Sequence, residues 1–121
     1  MRINLDVYES IYTYDDLKDT LDLKRIAIYT RNDERDLQEM VCKDFLEDNP
    51  CTFSTINIYK DKRTGTSMQS KTMKHLLEDI SNIKIDTIIC LSLDRLTRNV
   101  FDLTYLLTLF SQNNVRVLAI H

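Results

Sequence analysis

The 121-residue chain contains one glycine, one proline and no tryptophan, so it has little of the composition typical of flexible linkers and disordered segments. It has no run of about eighteen apolar residues, and acids stand near its start where a signal peptide needs a basic head and an apolar middle. These absences predict one ordered, soluble cytoplasmic domain with no membrane contact.

The cysteines are few and odd in number: Cys42, Cys51 and Cys90. None of them is spaced from another cysteine or from a histidine as metal ligands are. The sequence therefore predicts reduced thiols, no disulfide framework and no metal site.

The chain also lacks an excess of basic charge. Its net charge is −3, with residues 1–22 carrying −4 and the remainder +1. A domain that wraps nucleic acid by itself needs clustered Lys and Arg to neutralise phosphates. Binding to DNA by these residues alone is therefore expected to be weak, and the acidity belongs to an N-terminal extension, residues 1–23.

From residue 24 to residue 121, short β-type runs alternate with helical runs, which is typical of βαβ units and a parallel sheet. The predicted fold is therefore three-layer α/β, with a four-stranded, mainly parallel sheet flanked by helices. The four strands are predicted at residues 25–30, 53–59, 87–91 and 115–120. The extension is expected to hold a short strand or arm and then a helix near residues 14–21.

Apolar spacing predicts three helices that pack on the sheet. The first, residues 34–47, places Leu37, Val41 and Phe45 on one face, and the last, residues 100–111, begins after Asn99 as N-cap with Asp102 in its first turn. The core faces predicted for the second and the last helix are Met73, Leu76, Leu77 and Ile80, and Leu103, Leu106, Leu107 and Phe110.

The last helix has a second apolar row, Phe101, Tyr105 and Leu109, on a side that a helix lying on a sheet leaves partly exposed. Such a row often marks an interface. The alternative is that the extension or a neighbouring helix covers the row.

Three polar clusters follow strands, where open α/β sheets place their active sites. Asp94, Arg95 and Arg98 follow the third strand, and two arginines three residues apart can converge on one phosphate. Arg31 reaches the same edge, so three arginines there indicate an anion site, whereas Tyr29 is expected in the core or at its rim. The alternative is that Asp94 pairs with an arginine only to cap the following helix.

The third cluster is the polar loop YKDKRTGTS at residues 59–67, which contains the single glycine. A mobile substrate-facing loop and an ordinary solvated loop fit it equally well.

Together these segments resemble the catalytic domain of the resolvase/invertase family of serine recombinases over about residues 25–121. AIYTR at residues 27–31 is similar to the family's AIYxR, the loop at residues 59–67 to its YxDxxSGTS, and LDRLTRN at residues 93–99 to its hallmark LDRLxRN. LLEDI at residues 76–80 and the turn Ile85-Asp86 also resemble the family's second helix and turn.

The resemblance implies a role for each matching residue. In the family a serine attacks a DNA phosphodiester while arginines hold the phosphate and stabilise the charge of the transition state. It implies phosphate ligands, an orienting acid and supporting residues, with no metal or nucleotide cofactor, in a chain of bacterial or mobile-element origin. These residues are Arg31, Arg95 and Arg98 as ligands, Asp94 as the acid, and Gln38 and Asp61 in support.

The pattern breaks at the nucleophile. The family reads YxRVS, whereas this chain reads Tyr29-Thr30-Arg31-Asn32-Asp33, so Asp33 occupies the serine position. A carboxylate there faces an anionic phosphate and lacks the hydroxyl that forms the ester. No nearby serine is expected to substitute, and Thr30 points to the opposite face of the strand from Arg31. Ser92 is a further departure, at a position where the family usually has a lysine.

Three hypotheses follow. The first is a catalytically inactive relative that regulates by contact, with a serine recombinase or a second copy of itself as partner. The second is an enzyme, either a fragment of a divergent recombinase or a domain that uses another nucleophile. The third is an anion- or nucleic-acid-binding module without chemistry. Family members continue into a long helix and a DNA-binding domain, so specific DNA recognition is not expected from residues 1–121.

Overall fold

The computed structural model describes residues 11–12, 25–48, 55–62 and 70–120. In chain order the elements are β1 (Ile11–Tyr12), β2 (Arg25–Arg31), α1 (Leu37–Asp48), β3 (Thr55–Asp61), α2 (Lys71–Ser81), β4 (Thr87–Cys90), a 3-10 turn (Leu93–Arg95), α3 (Val100–Gln112) and β5 (Arg116–Ala119).

The strands form one sheet in the order β1-β5-β4-β2-β3, and every neighbouring pair is parallel. The predicted α/β class is confirmed, because the four expected strands form a parallel sheet flanked by helices. β1 adds a two-residue fifth strand within the predicted extension. The helix predicted near residues 14–21 lies outside the described residues, and the division at residue 24 stays a prediction.

Successive strands of the chain lie on opposite sides of β2. β3 lies next to β2 on one side, whereas β4 lies next to it on the other side and is followed by β5. Because parallel strands are joined by right-handed crossovers, such a reversal places helices on both faces of the sheet. The carboxyl ends of β2 and β4 therefore flank a topological switch point, where α/β folds open a crevice.

Two apolar clusters fill the two faces of the sheet. On one face Ala27, Tyr29 and Ile88 pack with residues of α2 and α3. On the other face Ile26 and Ile28 pack with residues of α1. Successive side chains of a strand point to opposite faces, so β2, which is buried between two strands and two helical layers, reads as a continuous apolar run.

The predicted start and core face of α1 are wrong. The helix begins at Leu37 rather than at residue 34, because Asn32 and Asp36 adopt left-handed backbone conformations with φ of 53° and 55°. Leu37 and Val41 are exposed, and the buried side is formed by Gln38, Cys42, Phe45 and Leu46. Only Phe45 of the predicted face is buried.

The other two helices match their predicted patterns. Met73, Leu76 and Ile80 of α2 are buried, with Leu77 packed beside them. Leu106, Leu107 and Phe110 of α3 are buried, with Leu103 packed beside them. Asn99 caps α3 as predicted, since its Oδ1 accepts hydrogen bonds from the backbone N–H groups of Phe101 (2.9 Å) and Asp102 (3.2 Å).

Within the described ranges no helix is long and apolar enough to cross a membrane, and no group of three or more His, Cys, Asp or Glu side chains is arranged to hold a metal ion. Cys42 and Cys90 are buried free thiols. Burial raises the pKa of Cys42 to about 12 and also raises that of Cys90, so both thiols stay protonated at neutral pH.

Candidate active site at the carboxyl ends of the central strands

Arg31 and Asp61 end their strands side by side. They are the last residues of β2 and β3, and the parallel register pairs them directly. The 3-10 turn that follows β4 contacts β2 from the other side. Arg31, Asp61 and the 3-10 turn therefore line the edge of the sheet at the switch point. All three were predicted from the sequence to belong to the site.

Gln38 fixes the backbone of Arg31. Its Oε1 accepts a hydrogen bond from the Arg31 N–H (3.1 Å), and its Nε2 donates to the Arg31 carbonyl (2.9 Å). Both partners are buried, so this side chain satisfies two groups that would otherwise be costly to bury. Gln38 thus holds the main chain of Arg31, and its supporting role in the site stays a prediction.

Asp61, at the end of β3, makes hydrogen bonds to β2 and to the start of α2. Its Oδ2 accepts hydrogen bonds from the hydroxyl groups of Tyr29 (2.5 Å) and Ser70 (2.7 Å), and the carboxylate is only 3% exposed. The Ser70 Oγ also accepts from the N–H of Met73 (3.0 Å) as the N-cap of α2. Tyr29 is fully buried, as expected for a core residue. Sequence reasoning missed Ser70, although a serine three residues before a helical apolar position is a recognisable N-cap signal.

Asp94, Arg95 and Arg98 form one charged turn. Buried Leu96 and Thr97 anchor the turn, while Asp94 and Arg98 are exposed. A hydrogen bond from the Ser92 hydroxyl, together with the positive charges of Arg95 and Arg98, lowers the pKa of Asp94. The carboxyl group is therefore ionised well into the acidic range.

Arg95 is the half-buried member of this turn. Its Nε atom is buried and makes no hydrogen bond with any residue in the described ranges. Burying a guanidinium nitrogen without a hydrogen bond is unfavourable in free energy. Such an arrangement is typical of a group that binds an external anion. The convergence of Arg31, Arg95 and Arg98 on one phosphate stays a prediction.

Asp33, at the expected position of the nucleophile, caps α1. Its two carboxylate oxygens accept hydrogen bonds from the N–H groups of Gln38 and Glu39, both at 3.0 Å, and its carbonyl accepts one from the N–H of Asp36 (3.1 Å). A negative charge is favoured there by the helix dipole. Left-handed conformations at Asn32 and Asp36, which asparagine and aspartate tolerate better than most residues, shape this connection.

A cleft of about 620 Å³ opens beside Asp33. Lys60 crosses it, with its Nζ 3.0 Å from an oxygen of Asp36 and 3.0 Å from an oxygen of Glu39. These two carboxylates raise the pKa of Lys60. The lining combines acids, two lysines and small polar residues: Thr30, Asn32, Asp33, Glu34, Asp36, Lys60, Asp61 and Lys62. Because acids outnumber the lysines, the charge of this cleft is unfavourable for a DNA phosphate.

In a comparison with family models, the model described as "Resolvase, N terminal domain" matches residues 18–121. The chain belongs to the resolvase family. Its expected membership is thereby confirmed, and the match begins six residues upstream of the predicted domain start at residue 24. A search of curated proteins finds no match.

Solved structures agree with the resolvase assignment. The N-terminal catalytic domain of TP901-1 integrase is 29% identical, with a TM-score of 0.70 over 80% of this chain and 76% of that chain. The C-terminal catalytic domain of ISC1926 TnpA, an IS607-like serine recombinase, has 23% identity and a TM-score of 0.67, covering 80% and 69%. A resolvase family site-specific recombinase from Streptococcus pneumoniae has 22% identity and a TM-score of 0.66, covering 82% and 72%. The last two support the fold alone.

This resolvase-type chain therefore has the fold of a serine recombinase catalytic domain and is related to site-specific recombination. Of the motif residues, Arg31, Gln38 and Asp61 gather at the end of β2, and Asp94, Arg95 and Arg98 gather in the turn after β4. The loop residues 63–69, including the single glycine, lie outside the described residues.

Proposed function

We propose that this chain takes part in site-specific recombination as a contact partner of a serine recombinase and does not attack DNA from position 33. The supporting observation is the engagement of Asp33, whose two carboxylate oxygens are both held by the N–H groups of α1. A carboxylate fixed in this way has no hydroxyl to form a phosphoserine link, and its charge opposes an approaching phosphate.

The proposed contact surface is the row Phe101, Tyr105 and Leu109 on α3. Phe101 is 71% exposed and Tyr105 is 56% exposed, while Leu109 is half-buried. Neighbouring Val100 is also exposed, and the helix has a single charged residue, Asp102. Large apolar side chains grouped on one helix face, with little charge around them, favour association with another protein.

Phosphate binding by the arginine turn is a second candidate function, favoured by the buried Nε atom of Arg95. The net charge of −3 predicts that DNA binding through this turn alone is weak and sensitive to salt. The two functions can be tested separately by substituting either Arg95 in the turn or the apolar residues of the α3 row.

The first test is size-exclusion chromatography with light scattering on the chain, alone and mixed with a serine recombinase encoded beside it in the same genome. We expect a defined complex at micromolar concentrations. The double substitution Phe101→Ser and Tyr105→Ser should weaken it at least tenfold, since about 1.4 kcal/mol of lost contact energy suffices. Met40→Ser, at an exposed apolar position of α1, is the matched control and should leave the complex intact.

A chain that stays monomeric in the presence of the recombinase would refute the contact role. A complex that forms equally well with the double variant would show that the recombinase binds this chain, but not through the α3 row. Self-association of the chain, weakened by the double variant, would identify a second copy as the partner instead.

A further inference from the structure

A patch of large apolar side chains lies exposed on the outer side of α1. This α1 patch consists of Leu37, which is 55% exposed, Met40 (53%) and Val41 (36%). The three residues stand at i, i+3 and i+4 of one helix, so they are neighbours on its surface, and Asp44 at i+7 ends the patch. Single exposed apolar residues are ordinary, whereas several that adjoin on one helix face are typical of a contact surface.

Acidic side chains surround the α1 patch. Residues 34–48 hold six acids and two bases, a net charge of −4 in a chain whose total is −3. Lys60 pairs with Asp36 and with Glu39, and Lys43 also pairs with Glu39. The other acids of the segment are exposed and form no ion pair with any described residue: Glu34, Asp44, Glu47 and Asp48. The surroundings of the patch are therefore negative.

This charge limits what can cover the α1 patch. Nucleic acid and an anionic lipid surface are repelled by it. Residues 1–22 carry −4, so like charge also opposes them as an internal cover, and it opposes the α1 patch of a second copy. The occupant that complements both the apolar side chains and the acids around them is a segment with an apolar face and basic flanks.

The backbone of the occupant is constrained as well. Inside α1 the main-chain N–H and C=O groups are bonded along the helix, so they offer no partners to an extended segment lying on the patch. A helical segment satisfies its own backbone groups and packs its side-chain rows between those of α1. An α-helix is therefore the form of occupant that leaves the fewest polar groups unpaired.

We propose that the α1 patch binds a basic amphipathic helix of a second protein. The apolar side chains of that helix pack on the patch, and its Lys or Arg side chains reach Asp44 and Glu47 at one end and Glu34 at the other. The apolar contact supplies the affinity, and the charges select a basic partner over an acidic one.

This binding goes beyond the contact role proposed above. α1 packs on the face of the sheet formed by Ile26 and Ile28, whereas α3 packs on the opposite face. The α1 patch and the α3 row therefore belong to helices on opposite sides of the sheet, and either contact can be lost while the other is kept. The chain thus holds a recombinase on one side and a basic helix on the other.

The test uses the full chain and a fluorescein-labelled helical peptide of leucine and lysine, with leucines at i, i+3, i+4 and i+7. Fluorescence anisotropy measures its affinity, and we expect a Kd of about 10 μM or tighter. A peptide with glutamate in place of every lysine should bind about tenfold more weakly or worse, because the acids repel it. Raising the salt from about 0.05 M to about 0.5 M should weaken the lysine peptide, since exposed charges are screened.

Variants separate the α1 patch from the rest of the surface. Met40→Ser and Val41→Lys each replace an exposed side chain, and each should weaken the lysine peptide by about tenfold or more. The matched control is the double substitution Phe101→Ser and Tyr105→Ser on α3, which should leave the peptide affinity unchanged. The recombinase complex should respond in the opposite way, keeping Met40→Ser and losing the double variant. Circular dichroism checks that each variant is folded.

An unchanged chain that does not bind the lysine peptide would overturn the proposal, as would undiminished binding by folded Val41→Lys. Equal affinity for the glutamate peptide would exclude a basic partner. Backbone amide NMR shifts caused by the peptide should centre on α1, and shifts centred on α3 would refute the α1 patch as its site. Self-association that Met40→Ser weakens, or binding of the chain to anionic lipid vesicles, would replace the proposed helix by a second copy or by a membrane.

Discussion

Asp33 joins the end of β2 to the start of α1 through two hydrogen bonds, one to each carboxylate oxygen. A serine at this position has a single side-chain oxygen and no charge, so it is a weaker partner for two N–H groups at the positive end of a helix. Asp33, at the expected position of the nucleophile, is therefore predicted to stabilise the fold.

Replacing Asp33 measures that contribution. Asp33→Ala should lower the free energy of unfolding by about 1 kcal/mol, and Asp33→Ser by less, because one acceptor remains. Urea denaturation measures both. Asp44→Ala, at an exposed position within α1, is the control and should change stability by less than about 0.5 kcal/mol. Equal losses at positions 33 and 44 would show that the cap is energetically unimportant.

The titration of Asp94 tests the Ser92 contact directly. The hydrogen bond from Ser92 stabilises the charged carboxylate, so Ser92→Ala should raise the pKa of Asp94 toward the ordinary aspartate value. In the unchanged chain this stabilising contact is complete above the ordinary pKa and is lost as pH falls through the lowered one. Side-chain carbonyl NMR follows the titration. An identical midpoint in both proteins would mean that the arginines alone set it.

At the scale of elements, α1 shows where the apolar pattern misleads. Val41 and Cys42 are neighbours in sequence, yet Val41 is exposed and Cys42 is fully buried against Ile28 and Phe45. The buried side of the helix is oriented by Gln38, whose amide must reach the backbone of Arg31.

This orientation predicts opposite outcomes for two lysine substitutions. Val41→Lys should change the free energy of unfolding by less than about 1 kcal/mol, because the ammonium group stays in solvent. Cys42→Lys should destabilise the fold by about 3 kcal/mol or more, since it buries an unpaired charge and exceeds the available volume. Thermal unfolding compares the two. A tolerated lysine at position 42 would contradict the assigned face.

The sequence alone was sufficient to predict the start and the buried side of α3, since its N-cap, its first-turn acid and its apolar rows are all local signals. It was insufficient for α1, whose start depends on two left-handed residues and on a glutamine that bonds a strand seven positions earlier. β3 was predicted to end at residue 59 but continues to Asp61, because pairing with β2 extends through the polar pair Lys60 and Asp61. Its predicted first residues, 53 and 54, lie outside the described residues. Neither effect is visible in apolar spacing.

The motif residues of the site could be named from the sequence, and the structure places Gln38 and Asp61 beside Arg31. The hydrogen bonds of these side chains could not, because Asp61 accepts from Tyr29, which lies 32 positions earlier on a neighbouring strand.

At the scale of the whole molecule, the strands of the sheet differ in how well their backbone is shielded from solvent. β2 is hydrogen-bonded on both sides and covered on both faces, whereas β3 pairs only with β2 among the described strands and has several exposed residues.

Amide hydrogen exchange should therefore be slowest in β2 and β4 and faster in β3, by at least about tenfold. Two-dimensional NMR in heavy water gives the rates residue by residue. Uniform protection of all strands would indicate that β3 opens only when the whole domain unfolds.

The pairing of β1 with β5 joins segments that are far apart in the sequence, so β1 is synthesised long before its partner strand. Ile11 lies opposite Val117, so the first described strand of the chain finds its place only after the last one has been synthesised. During translation, β1 cannot pair until β5 has left the ribosome, and the pairing closes a long loop. β1 thus completes the five-stranded sheet last, once the other four strands have assembled.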